Sequence, residues 1–144
     1  MRIAVDAMGG DHAPAAVIEG TLLAAKVHSD TVFILVGDAP SIEPLLGKSG
    51  APSNIQVRHA SEVIEADDEP VKAVRRKKDA SMVVAGRMVK EKEADAFLSA
   101  GNTGALMAVG LLIVGRIKGI HRPALAETFA NLLPAMVRAS GPKA

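Results

Sequence analysis

Three observations predict an α/β protein: a mostly parallel sheet with helices on both faces. Short continuous apolar runs, such as Val32 to Val36 (VFILV), alternate along the chain with longer segments of helical periodicity. These runs are apolar at nearly every position, as expected of strands covered on both faces. Two of the turns that follow them carry paired glycines beside short polar side chains, the composition of sharp strand-to-helix connections.

Arg2 to Val5 reads as the first strand and ends at Asp6. The turn Ala7-Met8-Gly9-Gly10-Asp11-His12-Ala13-Pro14 follows, with Pro14 suited to the first turn of a helix. That helix runs to about His28 and buries Val17, Ile18, Leu22 and Ala25 at helical spacing. Val32 to Val36 is the second strand, and Gly37 to Pro40 leads into a short helix around Ile42 to Leu46. Lys48 to Ser53 is a loop, and Asn54 to Arg58 is the third strand, with Ile55 and Val57 alternating. His59 to Pro70 (HASEVIEADDEP) reads as irregular and acidic, beside the basic run Arg75-Arg76-Lys77-Lys78. Asp79 is placed to cap a helix reaching about Glu93, with Met82, Val83, Gly86 and Val89 inward and Arg87, Lys90 and Glu91 outward. Ala96 to Leu98 is the fourth strand, and Ser99 to Gly104 is a polar turn. Ala105 to Ile117 (ALMAVGLLIVGRI) then has the length and apolar density of a buried helix.

The chain has 144 residues, 49% apolar and 23% charged, enough for one domain with a core. Aromatics make up 2%, with no Trp and no Tyr, so the core is built from Ala, Val, Ile, Leu and Met, and the three Phe offer little for stacking on single-stranded nucleic acid. A net charge of +1 gives no general pull toward nucleic acid or membrane. Cysteine is absent, which excludes disulfides, thiolate–zinc sites and a Cys nucleophile. The chain reaches Asp6 before any apolar run long enough for a signal peptide, and its longest apolar stretch is Ala105 to Val114. A membrane span needs roughly 20 residues, so a cytoplasmic protein is expected.

In open parallel sheets ligands bind outside the carboxyl ends of the strands. Three turns fall there: Asp6 to Pro14, Gly37 to Pro40, and Ser99 to Gly104. The third lies between a strand and a helix, so the free N–H groups of a helix start face the sheet edge, where an anion is stabilised. Ser99, Asn102 and Thr103 add side-chain donors, and phosphate is the expected anion. The turn lacks the Gly-Lys-Ser/Thr of a P-loop and the G-x-G-x-x-G of a dinucleotide site. Gly101 and Gly104 equally suit a plain turn that needs positive φ or close packing, and the residues alone leave both readings open. Asp6, Asp11 and His12 can form an acid–base or orienting group. Alternatively the two carboxylates brace the Gly9–Gly10 turn and His12 is an exposed loop residue. Their spacing matches no metal-ligand pattern, and no metal site is expected. Arg75 to Lys78 can grip an acidic protein or phosphate groups, or form a solvated helix face balanced by Glu65, Asp67, Asp68 and Glu69. Ser99 lacks the G-x-S-x-G elbow of a serine nucleophile.

Four segments in register are MRIAVDAMGGDHAP from Met1, HASEVIEADDEPVKAVRRKKDASM from His59, SAGNTGALMA from Ser99 and GIHRPALA from Gly119. Together they resemble the bacterial acyl-acyl-carrier-protein:phosphate acyltransferases, the PlsX family, from Met1 to about Ala126. The resemblance implies transfer of a fatty acyl group from the carrier-protein thioester to inorganic phosphate, giving an acyl phosphate for phospholipid synthesis. It implies an α/β/α fold related to phosphate acetyltransferases and isocitrate dehydrogenases, a homodimer, peripheral membrane association, and no cofactor. On the matching positions it implies Asp6, Asp11, His12 and Asn102 as catalytic or orienting groups. Gly9, Gly10, Ser99, Gly101, Thr103, Gly104 and Arg122 then bind substrate, and Arg75, Arg76, Lys77 and Lys78 contact the acyl carrier protein. Full-length members of that family run to more than twice this length. The expectation is therefore an N-terminal portion over 1–126 and a divergent tail over 127–144, frameshift-derived or completed by a second chain. Such a truncated sheet has an open edge and uncovered apolar surface. A non-catalytic remnant that holds an anion or the carrier protein without turnover is the alternative.

Overall fold

In the computed structural model, which describes residues 1–121, β1 (Arg2–Asp6) and β2 (Val32–Gly37) form the centre of a four-stranded parallel sheet. β3 (Ile55–His59) and β4 (Ala96–Leu98) are its edges, in the order β3-β2-β1-β4. The predicted α/β architecture is the one the chain adopts. Ile3 pairs with Phe33 and Val5 with Leu35 on one side of β1, and Val5 with Leu98 on the other.

Side-chain alternation along the strands divides the core into two layers. Val5, Phe33 and Leu35 face Ile18, Leu22 and Ala25 of α1 (Ala15–Val27) and Ile42 and Leu46 of α2 (Ala39–Ser49). Ala4, Ile34 and Val36 face the other way, onto Ala85 and Met88 of α4 (Ser81–Lys90). A third cluster joins α3 (Pro70–Arg76), α4 and α5 (Thr103–Val109) through Ala73, Val74, Met82, Val83, Ala105 and Val109. Gly86 permits the α4–α5 approach, since a Cβ there would lie 2.2 Å from Val109 Cγ1.

The local boundaries differ from the sequence reading in four places. α3 lies where irregular chain and a basic run were expected; Pro70 opens it and Glu69 caps it, accepting from Val71 N at 3.3 Å and Lys72 N at 2.9 Å. α2 continues to Ser49 and ends on Gly50 at φ +63. Asp79 does not cap α4: its carboxylate accepts from Ser61 N at 2.8 Å and Ser61 Oγ at 2.6 Å, and the helix stops at Lys90. The last helix is shorter than expected, with α5 passing at Gly110–Val114 into a π-helical turn that ends on Gly115. Arg122, the boundary at 126/127 and the tail over 127–144 lie outside the described residues. Among the described residues no helix is long and apolar enough to cross a membrane.

Candidate functional site

β1 delivers Asp6 to the carboxyl edge of the sheet, where the residue is 2% exposed. A buried carboxylate requires partners. Ser81 Oγ donates to Oδ1 at 2.5 Å, Met8 N to Oδ1 at 3.2 Å, and Ser99 Oγ to Oδ2 at 2.7 Å. Asp6 thus ties the end of β1 to the first residue of α4 and to the residue after β4. Ser81 is the member of this group that sequence reasoning missed. Its one signal is its place at a helix start on the same sheet edge.

Two glycines press the first and last turns together. A Cβ on Gly9 would lie 2.5 Å from Asp6 Oδ2 and 3.0 Å from Gly101 N, and one on Gly101 would lie 3.2 Å from Gly9 Cα. Gly10, at φ +113, packs on Ala100. Gly101 and Gly104 are absent from the positive-φ residues, and a Cβ on Gly104 would lie 2.7 Å from Pro70 Cγ. Close approach is therefore what these two positions require.

Between the turns lies a polar cavity of about 540 Å³, walled by Gly10, Asp11, Glu65, Gly101, Asn102, Thr103 and Gly104 among others. Asn102 is the N-cap of α5, and its Oδ1 accepts from Ala105 N at 3.0 Å. Its amide nitrogen donates to the carbonyls of Glu65 at 3.2 Å, Ala66 at 3.3 Å and Asp68 at 3.1 Å. One side chain thereby fixes both the helix start and the acidic segment beside it. The N–H groups of Thr103 and Gly104 have no acceptor among the described residues, as geometry dictates for the first turn of a helix. Asp11 and Glu65 contribute two carboxylates to the same wall.

The remaining predicted residues lie elsewhere. His12 is exposed and stands outside the cavity wall. The basic run divides: Lys77 turns inward, donating to Val63 O at 2.8 Å and to Asp68, while Arg75, Arg76 and Lys78 are exposed at the far end of α3. The Lys77 hydrogen bond, followed by one from Glu65 N, holds the Asp68 carboxyl below its ordinary range. The Ser61 hydroxyl and backbone N–H do the same to Asp79. No cluster of side chains able to hold a metal ion occurs among the described residues.

A parallel sheet whose glycine turns meet at its carboxyl edge, with a polar cavity between them, is here the framework of a known family. The chain belongs to the family described as "Fatty acid synthesis protein", whose model matches residues 1–137. Its curated relatives carry the name phosphate acyltransferase. That of Bacillus subtilis (strain 168) is 60% identical over 132 residues, covering 92% of this chain and 39% of its own. That of Myxococcus xanthus (strain DK1622) is 52% identical over 132 residues, covering 92% and 37%, and that of Latilactobacillus sakei subsp. sakei (strain 23K) is 53% identical, covering 92% and 38%. The chain thus spans less than two fifths of the length of these relatives.

Proposed function

We propose that this chain carries the N-terminal part of a phosphate acyltransferase, which moves a fatty acyl group from an acyl carrier protein thioester to inorganic phosphate. The observation that carries this reading is the polar cavity at the carboxyl edge, with the unpaired N–H groups of Thr103 and Gly104 in its wall. In this reaction a phosphate oxygen attacks the thioester carbonyl carbon, the C–S bond breaks, and the carrier thiol leaves as an acyl phosphate forms. The nucleophile belongs to the substrate. What remains for the protein is to hold the anion against the carbonyl and stabilise the oxyanion that develops.

In this proposal Thr103 and Gly104 meet phosphate, with Gly101 and Ser99 shaping the turn. Asn102 and Asp6 act as positioning residues, because their polar atoms are engaged within the protein. Gly9 and Gly10 hold the first turn against the last, and Asp11 and His12 orient the thioester substrate. The carboxylates of Asp11 and Glu65 oppose a dianion, by about 1 kcal/mol per charge pair at 4 Å even in water and by more where water is excluded. The pocket therefore needs a cation, and Arg122 is the proposed source. Arg75, Arg76 and Lys78 are proposed to meet the acidic carrier protein; Lys77 is already held by Asp68. A cytoplasmic location, a homodimer and peripheral membrane association of the full-length form belong to the same proposal.

The test incubates the chain with acyl carrier protein thioester and phosphate, trapping acyl phosphate as a hydroxamate while phosphate binding is followed by thermal shift. Arg122→Ala is expected to weaken phosphate binding by about tenfold, equivalent to about 1.4 kcal/mol. Phosphate stabilisation without turnover assigns the chain to the non-catalytic reading. Neither turnover nor any effect of phosphate on melting would overturn both.

A further inference from the structure

We propose that the groove between α4 and the π-helical turn at Gly110–Val114 docks an acidic amphipathic helix, and that the acyl carrier protein of the proposed reaction supplies it. The occupant's name rests on that reading; the chemistry of the groove does not. Val83, Arg87 and Lys90 stand at i, i+4 and i+7 along α4, one stripe of the helix. Leu112 and Ile113 of the π-helical turn, and Lys78 of the link between α3 and α4, complete the wall. The groove holds about 290 Å³, with Glu91 also beside it.

Three cations stand in this wall against one carboxylate, in a chain whose net charge is +1. The ion pairs among the described residues engage Arg2, Arg58 and Lys77, and none engages Lys78, Arg87 or Lys90. Arg87 donates to the carbonyl of Lys78 at 3.1 Å, which pins its guanidinium beside that lysine. Its other donors have no acceptor among the described residues. Asp79 lies within reach of the Arg87 charge, but its carboxylate is taken by Ser61 N and Oγ. Like charges held together without counter-charges repel, and an anionic partner relieves them. Lys78 also continues the basic surface to Arg75 and Arg76 at the end of α3.

The floor selects the kind of anion that fits. Val83 is 1% exposed and Leu112 is 44% exposed, so the wall runs from a recessed apolar base to an apolar rim. An occupant must then carry apolar side chains between its acidic ones. A helix with carboxylates flanking an apolar residue meets both needs, by laying that residue into a groove between helices. A flat lipid surface meets the rim cations but not the recessed base, and Glu91 opposes phosphate headgroups. At about 290 Å³ the groove falls just below the roughly 300–1,000 Å³ of small-molecule pockets, and it takes single side chains of a partner laid across it. Exposed cations speed encounter more than they tighten a complex, which suits a carrier that must leave after each transfer.

The test measures binding of dye-labelled acyl carrier protein, bearing no acyl group, to the 144-residue chain by fluorescence anisotropy. Lys90→Glu, at an exposed side chain with no ion pair among the described residues, should weaken binding about tenfold. Leu112→Ser should weaken it about threefold. Lys26→Glu makes the same charge change at the end of α1, on the opposite face of the sheet, and should leave affinity unchanged. Far-UV circular dichroism of all three variants should match the parent. Equal losses from Lys90→Glu and Lys26→Glu would reduce the effect to net charge and overturn the inference. Carrier binding indifferent to both Lys90→Glu and Leu112→Ser overturns it, as does a parent that binds no carrier protein. A parent that binds phosphatidylglycerol vesicles in place of the carrier makes a membrane the occupant and overturns it too. Phosphate-dependent turnover and melting are read separately, so the acyltransferase reading stands or falls on its own assay.

Discussion

Replacing Asn102 by Ala removes two kinds of interaction, and each can be assigned a size. The lost Oδ1 acceptor leaves Ala105 N uncapped, which costs about 1 kcal/mol. The lost amide donors release three carbonyls, of which those of Glu65 and Ala66 are exposed and recover water. That of Asp68 is part-buried, and its loss costs about 1 kcal/mol more. The sum, about 2 kcal/mol, is a large share of the roughly 5–15 kcal/mol that holds a domain together. At about 4 °C per kcal/mol for a chain of this size, Tm should fall by about 8 °C.

Asn102→Ser separates the two contributions, because it keeps a capping oxygen and loses the amide. It should recover about half the deficit. Asn102→Asp also keeps the acceptor, but it sets a carboxylate against carbonyl oxygens and should fall below Ser. The chain has no Trp and no Tyr, so far-UV circular dichroism in heat and in urea is the assay, with amide exchange reporting on α5. An Ala variant that melts with the parent would refute the clamp. A Ser variant no better than Ala would show that the cap contributes nothing.

The same chemical change at two other glycines should have opposite signs. Gly86→Ala drives a Cβ to 2.2 Å from Val109 Cγ1 and should cost about 1–3 kcal/mol; Gly20→Ala meets nothing within 4 Å inside α1 and should gain up to about 1 kcal/mol. Urea midpoints shifted in the same direction would contradict the packing assigned to α4 and α5. Asp68 gives a pH prediction. Its folded pKa lies below its unfolded value, so its contribution is complete above the unfolded pKa and is lost as pH falls through the folded one. Asp68→Asn should therefore shrink the difference between neutral and acid urea midpoints, and an unchanged acid sensitivity would show that the Lys77 contact contributes nothing.

The central strands were legible because burial on both faces forces continuous apolar runs, and β1 and β2 have them. The Ser99–Gly104 turn was legible for the complementary reason, since a run of small polar residues cannot continue a buried strand. α3 escaped notice because it spans seven residues and buries only Ala73 and Val74. Its opening signal, Pro70 after Glu69, sat in a segment dominated by charge. Asp79 misled for a different reason: an Asp before a helix looks like a cap until a tertiary donor, here Ser61, takes it. Burial of Asp6 could be read from its place at the end of an apolar strand. Its partner Ser81, 75 residues away, could not, because separation in sequence carries no record of which elements share an edge. The run Arg75 to Lys78 was read as one patch, yet neighbouring residues at a helix end point in different directions, and Lys77 found Asp68.

The polar residues at the carboxyl edge fall into two sets with different work. Asp6, Ser81, Ser99 and Asn102 spend their side chains on one another and on backbone, and so fix where β1, β4, α4 and α5 begin and end. Thr103 and Gly104 keep amides without an acceptor among the described residues, and Asp11 and Glu65 bring charge of one sign. A cavity with donors fixed to the backbone but bordered by carboxylates has the shape of an anion site with the wrong local potential, because oriented amides carry partial charges and carboxylates whole ones. In the proposed phosphate site the opposite sign is assigned to Arg122, outside the described residues. Shape and charge in the proposed phosphate site are thus supplied by different stretches of chain.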